Sequence, residues 1–225
     1  MTAPRLSIVI PTLNAAATLP DTLAALAEAG AAAEIIVADG GSTDATPALA
    51  PRLVTAPRGR GPQLQAGAAA AKGDWLLILH ADSVPAPGWW AAAQRHMAEH
   101  PDSAAAFTLR FASPDRRARR IERLVAWRCR LLALPYGDQG LLLPRALYDR
   151  LGGYRPLPLM EDVDLVRRIA RRRLRLLDTV VTTSAVRYER DGWLRRPLRN
   201  LACLGLWMLG VPAARLVRFY GGRRP

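Results

Sequence analysis

A chain of 225 residues, half of them hydrophobic, can bury about 70% of the surface its unfolded form exposes, which excludes any need for a covalent staple. Cys129 and Cys203 form no C-x-x-C pair and stand in no Cys/His cluster, so a disulfide scaffold and a structural zinc site are excluded and a reducing interior fits. The net charge of +13 is lopsided: residues 1–113 carry seven Lys/Arg against nine Asp/Glu, whereas 114–225 carry twenty-five against ten, which points the second half toward anionic partners.

The opening Met1 to Arg5 leads into Leu6-Ser7-Ile8-Val9-Ile10, and Pro11 closes that apolar run too early for a secretory leader. The run reads as a strand, followed by the turn-prone Thr12-Leu13-Asn14. An Ala/Leu-rich helix is expected from about Thr18 to Ala29, with Thr18 and Asp21 as a capped start. Glu34 to Ala38 forms a second strand, and Asp39-Gly40-Gly41-Ser42-Thr43-Asp44 a tight turn into a short helix. Arg58 to Pro62 reads as a Gly/Arg loop and Gln63 to Lys72 as a helix. Trp75 to Leu79 is a third strand that ends in His80-Ala81-Asp82. His96 and His100 fall on what reads as the surface of a helix.

Beyond Ser103 the pattern changes. Ala104 to Phe111 reads as an additional strand and Arg116 to Leu132 as an Arg-rich amphipathic helix. Tyr136 to Gly140 is a polar loop before the apolar Leu141–Leu143. Glu161, Asp162 and Asp164 open a helix expected to run to about Arg173. Apolar strands alternating with Ala-rich helices indicate an α/β class, a mostly parallel sheet covered by helices on both faces. In such sheets ligands collect at the carboxyl ends of the strands. The clusters at Thr12–Asn14, Asp39–Asp44 and His80–Asp82 each follow a strand and are therefore expected to converge on one edge.

The chemistry follows from residue types at that edge. Asp82 ends a buried strand, where a carboxylate can hold a hard divalent cation, Mg2+ or Mn2+, and leave positions open for phosphate oxygens. A solvated turn residue before Pro85 and Pro87 is the other reading. Asp39 can accept from a nucleotide base or ribose hydroxyl, with Gly40 and Gly41 allowing close backbone approach, or it can serve an Asx turn. Transfer to a hydroxyl needs a carboxylate base, a role open to Asp162 with Glu161 as its rival; helix capping would use the same residues. Arg58 and Arg60, with Gly59 and Gly61, offer guanidinium donors to phosphate, or form a flexible basic loop.

These motifs resemble family 2 glycosyltransferases of the glycosyltransferase-A fold. Ser7–Asn14 and Ile36–Asp44 resemble the family's opening, Leu79–Asp82 its D-x-D metal motif and Met160-Glu161-Asp162 its late E-D motif; together they cover about residues 5 to 175. The resemblance implies a metal-dependent, inverting transfer of a sugar from a nucleotide diphosphate donor to a small-molecule or lipid-linked acceptor. It makes Pro11, Thr12, Asn14 and Asp39 nucleoside contacts, Asp82 the metal ligand and Asp162 the base; Gly41 and Arg60 join the nucleotide-binding set on the residue chemistry given above. More narrowly, Leu79–Asp82 with Tyr136–Gly140 and Met160–Leu165 is similar to a compact bacterial subgroup named for arsenosugar biosynthesis. That likeness puts Gly137, Asp138 and Gln139 on the acceptor side. The first D-x-D carboxylate is His80 here, open to ligand, sugar or phosphate contact, or packing, so weak metal affinity is expected.

The reading divides the chain into a glycosyltransferase-A-like domain at 1–185 and a basic, Trp/Leu-rich helical tail at 186–225. The longest later uncharged stretch, Asn200 to Ala214, is shorter than the ~20 residues of a membrane span. The tail either packs on the domain or lies on anionic lipid, the latter at the inner face of the membrane of a cytoplasmic protein. A nucleotidyltransferase would want a basic Gly-rich loop where Thr12-Leu13-Asn14 stands. A nucleic-acid-binding module would interleave aromatics among its bases, and no nucleic-acid partner is expected.

Overall fold

The computed structural model describes residues 5–220. Met1 to Pro4 of the opening and residues 221–225 of the tail lie outside them. Strand β1 (Leu6–Thr12) leads into helix α1 (Leu19–Leu26), which a 3-10 segment continues to Ala32, and then into β2 (Ala33–Asp39). After a 3-10 turn at Thr46–Leu49 come β3 (Leu53–Thr55), α2 (Arg60–Ala70), β4 (Trp75–Ile78), β5 (Ser83–Pro85), α3 (Trp89–Glu99) and β6 (Ala104–Phe111). The remainder is α4 (Arg116–Leu132), β7 (Leu141–Pro144), α5 (Arg145–Arg150), α6 (Glu161–Arg168), β8 (Leu174–Thr183), α7 (Val186–Asp191), α8 (Arg195–Met208) and α9 (Ala213–Tyr220).

One mixed sheet runs in the order β3-β2-β1-β4-β7-β6-β8-β5. The β3-β2-β1-β4 half is parallel throughout, as is the β6–β8 pair; β7 enters antiparallel between β4 and β6, and β5 pairs antiparallel with β8. The strands are apolar on both faces because helices cover both. Val9, Leu76, Ile78, Leu141 and Leu143 face Leu64 of α2, Leu147 of α5, Val163 of α6 and Cys203 of α8. Their alternate neighbours Ile8, Ile10, Leu77, Leu79 and Leu142 face Leu19 of α1 and Trp89, Ala93 and Met97 of α3. That period-two division is what a buried sheet imposes on each strand. A smaller cluster joins Leu109 and Phe111 of β6 to Ile121 and Val125 of α4 and to Trp193.

Several local expectations are corrected. Thr18 makes no side-chain cap; its hydroxyl donates back to the Ala15 carbonyl, and Pro20 starts α1 instead. The Gly/Arg loop is shorter than expected, since α2 already begins at Arg60 behind Gly59, whose φ is +130°. Helix α6 stops at Arg168, because the buried Ile169 is extended (φ −76°, ψ 124°), and a 3-10 turn at Arg171–Arg173 feeds β8. His96 is buried, its Nε2 3.0 Å from the Ser103 carbonyl and its ring edge-on to Trp75. Both cysteines are free and buried. Helices α8 and α9 pack on the rest of the chain: Cys203 and Leu204 sit within the larger core cluster, with Trp207 and Tyr220 against it.

Candidate active site

A cleft of about 790 Å3 opens at the carboxyl ends of β1 and β4. Its lining includes Pro11, Thr12, Leu13 and Asn14 after β1, Arg58, Gly59, Arg60 and Gln63 around the start of α2, and His80 and Asp82 after β4. Tyr136, Gly137 and Asp138 of the loop before β7 and Asp162 of α6 also line it. Two of the three strand-end clusters thus meet in one cavity.

The third cluster supports the cavity from behind. Asp39 is buried and its carboxylate is fully used: Oδ1 accepts from the Thr12 hydroxyl at 2.9 Å and the Ser42 hydroxyl at 2.5 Å. Oδ2 accepts from the backbone N–H groups of Gly41 at 3.0 Å and Ser42 at 2.8 Å. Burial raises the Asp39 pKa, and the Ser42, Thr12 and Gly41 donors outweigh it, so the group lies below its ordinary value. Asp39 and Gly41 do not line the cleft; they fix Thr12, which does. Asn14, at φ +52°, donates its N–H to the Ser42 hydroxyl at 2.8 Å and accepts the Thr43 N–H at 2.8 Å. Asp44 accepts from Thr46 and Ala16. These bonds tie the loop after β1 to the loop after β2. Gln63 completes the join from α2, its Nε2 donating to the Thr12 and Ala38 carbonyls.

The Glu161–Asp162 pair divides in two directions. Met160 stands in the left-handed region at φ +67°, and from that turn Glu161 enters the core, 2% exposed, 3.6 Å from Arg60. Burial raises the Glu161 pKa first, the Asp162 charge raises it further, and Arg60 opposes. Asp162 faces the cleft, its Oδ2 accepting the Gly137 N–H at 2.6 Å and its Oδ1 the Val163 N–H at 2.7 Å. Asp164 turns away and is paired with Arg155 at 3.1 Å and Arg168 at 2.6 Å.

On the acceptor-side loop, Gly137 touches both functional neighbours: a Cβ there would lie 2.8 Å from His80 Nε2 and 3.2 Å from Asp162 Oδ2. Asp138 lines the cleft, and burial pushes its pKa up to about 6 despite Arg128. Gln139 does not reach the cleft. It is buried, donating to the Phe107 carbonyl at 3.0 Å and accepting from Arg128 at 3.0 Å, and so holds the loop. His80 is held well below its ordinary pKa, by burial first and then by Arg60 and Arg187, and its imidazole is neutral near pH 7.

Asp138 Oδ1 and Asn200 Oδ1 are buried at the cleft without a hydrogen-bond donor among the described residues. Orphan acceptors of this kind fit a ligand that brings donors, such as a sugar's hydroxyls. For a divalent cation the donor set is Asp82 and the neutral His80. Among the described residues no group of three or more His, Cys, Asp or Glu is arranged to hold a metal ion. One carboxylate fits a Mg2+ or Mn2+ ion whose remaining positions are filled by substrate phosphates and water, with the softer imidazole of His80 a poorer ligand for such a hard ion.

The chain's last helices carry cleft-lining residues that the sequence did not single out. Val186, Arg187, Tyr188 and Arg190 of α7, Arg196 and Asn200 of α8 and Tyr220 of α9 close the cleft. Their order in sequence carries no strand-end signal, and only the excess of Arg marked the region.

Comparison with known proteins agrees with this architecture. Residues 7–157 match the model of Glycosyl transferase family 2. A succinoglycan biosynthesis protein of Rhizobium meliloti (strain 1021) is 35% identical over 113 residues, 46% of this chain and 31% of that one. A PGL/p-HBAD biosynthesis glycosyltransferase of Mycobacterium bovis (strain BCG / Pasteur 1173P2) is 40% identical over 94 residues, 36% of this chain and 37% of that one. The matches span only about a third of those relatives' length. Among solved structures, a mannosyltransferase of Pyrobaculum calidifontis in complex with GDP-Man and Mn2+ superposes with a TM-score of 0.69 at 23% identity, covering 100% of this chain and 66% of that one. The shared architecture is the glycosyltransferase-A fold.

Proposed function

Because this chain belongs to glycosyl transferase family 2, we propose that it is a glycosyltransferase whose cleft takes a nucleotide diphosphate sugar and passes the sugar, with inversion, to an acceptor hydroxyl. The observation that carries this reading is the shared cavity: Asp82 and Asp162 line one space with Arg60 and Thr12, and its volume suits a ligand of that size.

Pro11, Thr12 and Asn14 cradle the nucleoside, and Asp39 acts through Thr12 rather than by touching the base. Arg60 faces the diphosphate, where a guanidinium forms charge-assisted bonds. A divalent cation, Mg2+ or Mn2+, held by Asp82 with His80 beside it, would neutralise charge on the departing diphosphate. Asp162 takes the proton of the acceptor O–H. The freed electron pair forms the new bond to the anomeric carbon, the bond from that carbon to the phosphate oxygen breaks, and nucleoside diphosphate leaves with its pair. The Gly137 and Val163 N–H bonds fix the carboxylate for that transfer. Asp138 and Asn200 offer their unpaired oxygens to sugar or acceptor hydroxyls. The acceptor class suggested by the arsenosugar-type subgroup belongs to this proposal, on the strength of motif likeness alone.

The test incubates the protein with UDP-, GDP- and dTDP-sugars, an acceptor and Mn2+, then identifies products. Expected are nucleoside diphosphate and a glycoside of opposite anomeric configuration, with loss of turnover in EDTA. Pyrophosphate release would favour a nucleotidyltransferase; retained configuration would remove the role of Asp162 as base; full turnover in EDTA would remove the cation from Asp82.

A further inference from the structure

Helix α8 is built inside out. Its inner face carries Arg196, Asn200, Cys203, Leu204 and Trp207, at helical spacing, against the cleft and the core. About half a turn away lie Leu198 and Leu201, with Leu194 at the N-cap, Leu209 just past the helix end and the exposed Met208 on the flank between the two faces. Leu194 is 77% exposed, Leu198 64%, Leu201 57% and Leu209 83%. A helix in water normally turns its leucines inward and its arginines outward. Here Arg196 and Asn200 face the cleft, while Leu194, Leu198, Leu201 and Leu209 face out.

The two helices that carry and follow this apolar stripe also expose bases. Arg195 on α8 and Arg215 and Arg218 on α9 are exposed and make no ion pair among the described residues, and Phe219 is exposed beside them. Leucines flanked by unpaired guanidinium groups match the boundary between anionic headgroups and acyl chains. No helix of the described residues is long and apolar enough to cross a membrane, so α8 can lie on such a surface but not span it.

We propose that α8 docks on an anionic lipid surface through Leu194, Leu198, Leu201, Met208 and Leu209, and that the acceptor hydroxyl is carried by a lipid of that surface. The second clause rests on the sugar-transfer reading above. The same helix lines the cleft with Arg196 and Asn200, so docking its outer face sets the cavity one helix diameter, about 10 Å, from the headgroups. That brings a lipid-borne hydroxyl within reach.

The experiment floats the full chain with vesicles of phosphatidylcholine alone and with vesicles containing phosphatidylglycerol at about a third of the lipid. Leu198→Glu/Leu201→Glu is compared with wild type. Both side chains are exposed, so folding is retained, checked by an unchanged thermal midpoint. Expected is recovery of wild type with the anionic vesicles, at least about tenfold more than with neutral ones, falling about tenfold in the variant and in high salt. Wild type left in solution with anionic vesicles, or a variant that floats equally well, would overturn the docking. So would a dimer that the variant dissociates while neither protein floats, since a second copy would then cover α8. Flotation without transfer to any vesicle-borne acceptor would sink the acceptor clause alone, and donor-dependent release of nucleoside diphosphate separates that outcome from failure of the sugar-transfer reading.

Discussion

Glu161 and Asp162 are adjacent in sequence and stand in opposite environments, one turned into the core against Arg60 and the other into the cleft. Two carboxylates held apart in this way serve two roles. Burial raises the Glu161 pKa above its unfolded value, so its share of stability is complete in acid and is lost as pH rises through the folded value. Glu161→Gln, which cannot titrate, is therefore expected to gain stability relative to wild type between pH 5 and pH 8. Urea unfolding at both pH values measures this; a difference that does not change with pH contradicts it. At the same scale, Asp82, Asp162 and Asn14, which all line the cleft, were legible as candidates because each follows an apolar run or opens a helix. Asp39 was legible as important, but its direction was not. Whether a carboxylate points to a ligand or to its own loop depends on Ser42 and Thr12, and sequence spacing allowed both. Gln139 and Glu161 are buried and outside the cleft lining for a related reason: a polar residue beside a cleft can be its scaffold.

At the scale of elements, the site depends on how the loop before β7 meets the start of α6. Gly137 brings its N–H to Asp162 because it lacks a Cβ that would press on His80 and Asp162. Gly137→Ala is expected to cut turnover about tenfold or more, since small misplacements of catalytic groups are costly, while lowering the thermal midpoint by only a few degrees. Steady-state kinetics beside calorimetry measures this, and unchanged turnover would contradict it. The strands β1, β2, β4 and β6 were readable because a strand buried on both faces is a continuous apolar run. β3 was not, being three residues at the sheet edge and largely exposed. β8 was hidden behind Arg171–Arg173, which prolonged the charged pattern of α6 past its true end at Arg168. The α4 boundaries were plain because Asp115 caps the helix, accepting the Arg117 N–H at 2.8 Å, and four buried positions recur at helical spacing.

At the scale of the molecule, the neutral first half supplies Pro11–Asn14, Arg58–Arg60, His80 and Asp82 to the cleft, and the basic second half supplies Tyr136–Asp138, Asp162 and the lining from α7, α8 and α9. The parallel strands β1 and β4 deliver Thr12 and Asp82; the antiparallel β7 lets the chain return so that the loop before it faces them. The tail appeared in sequence as an appendage. In space α7, α8 and α9 are a wall of the cavity, because contacts between Tyr220, Arg196 and Asp191 join helices that no local pattern links. The most direct test of the whole arrangement is Asp162→Asn, which keeps the shape and removes the base. Donor affinity and kcat are measured on the same preparation with Mn2+. The account predicts an unchanged dissociation constant for the nucleotide sugar and a kcat lower by about 10²–10⁴. A variant that turns over as fast as wild type would contradict it.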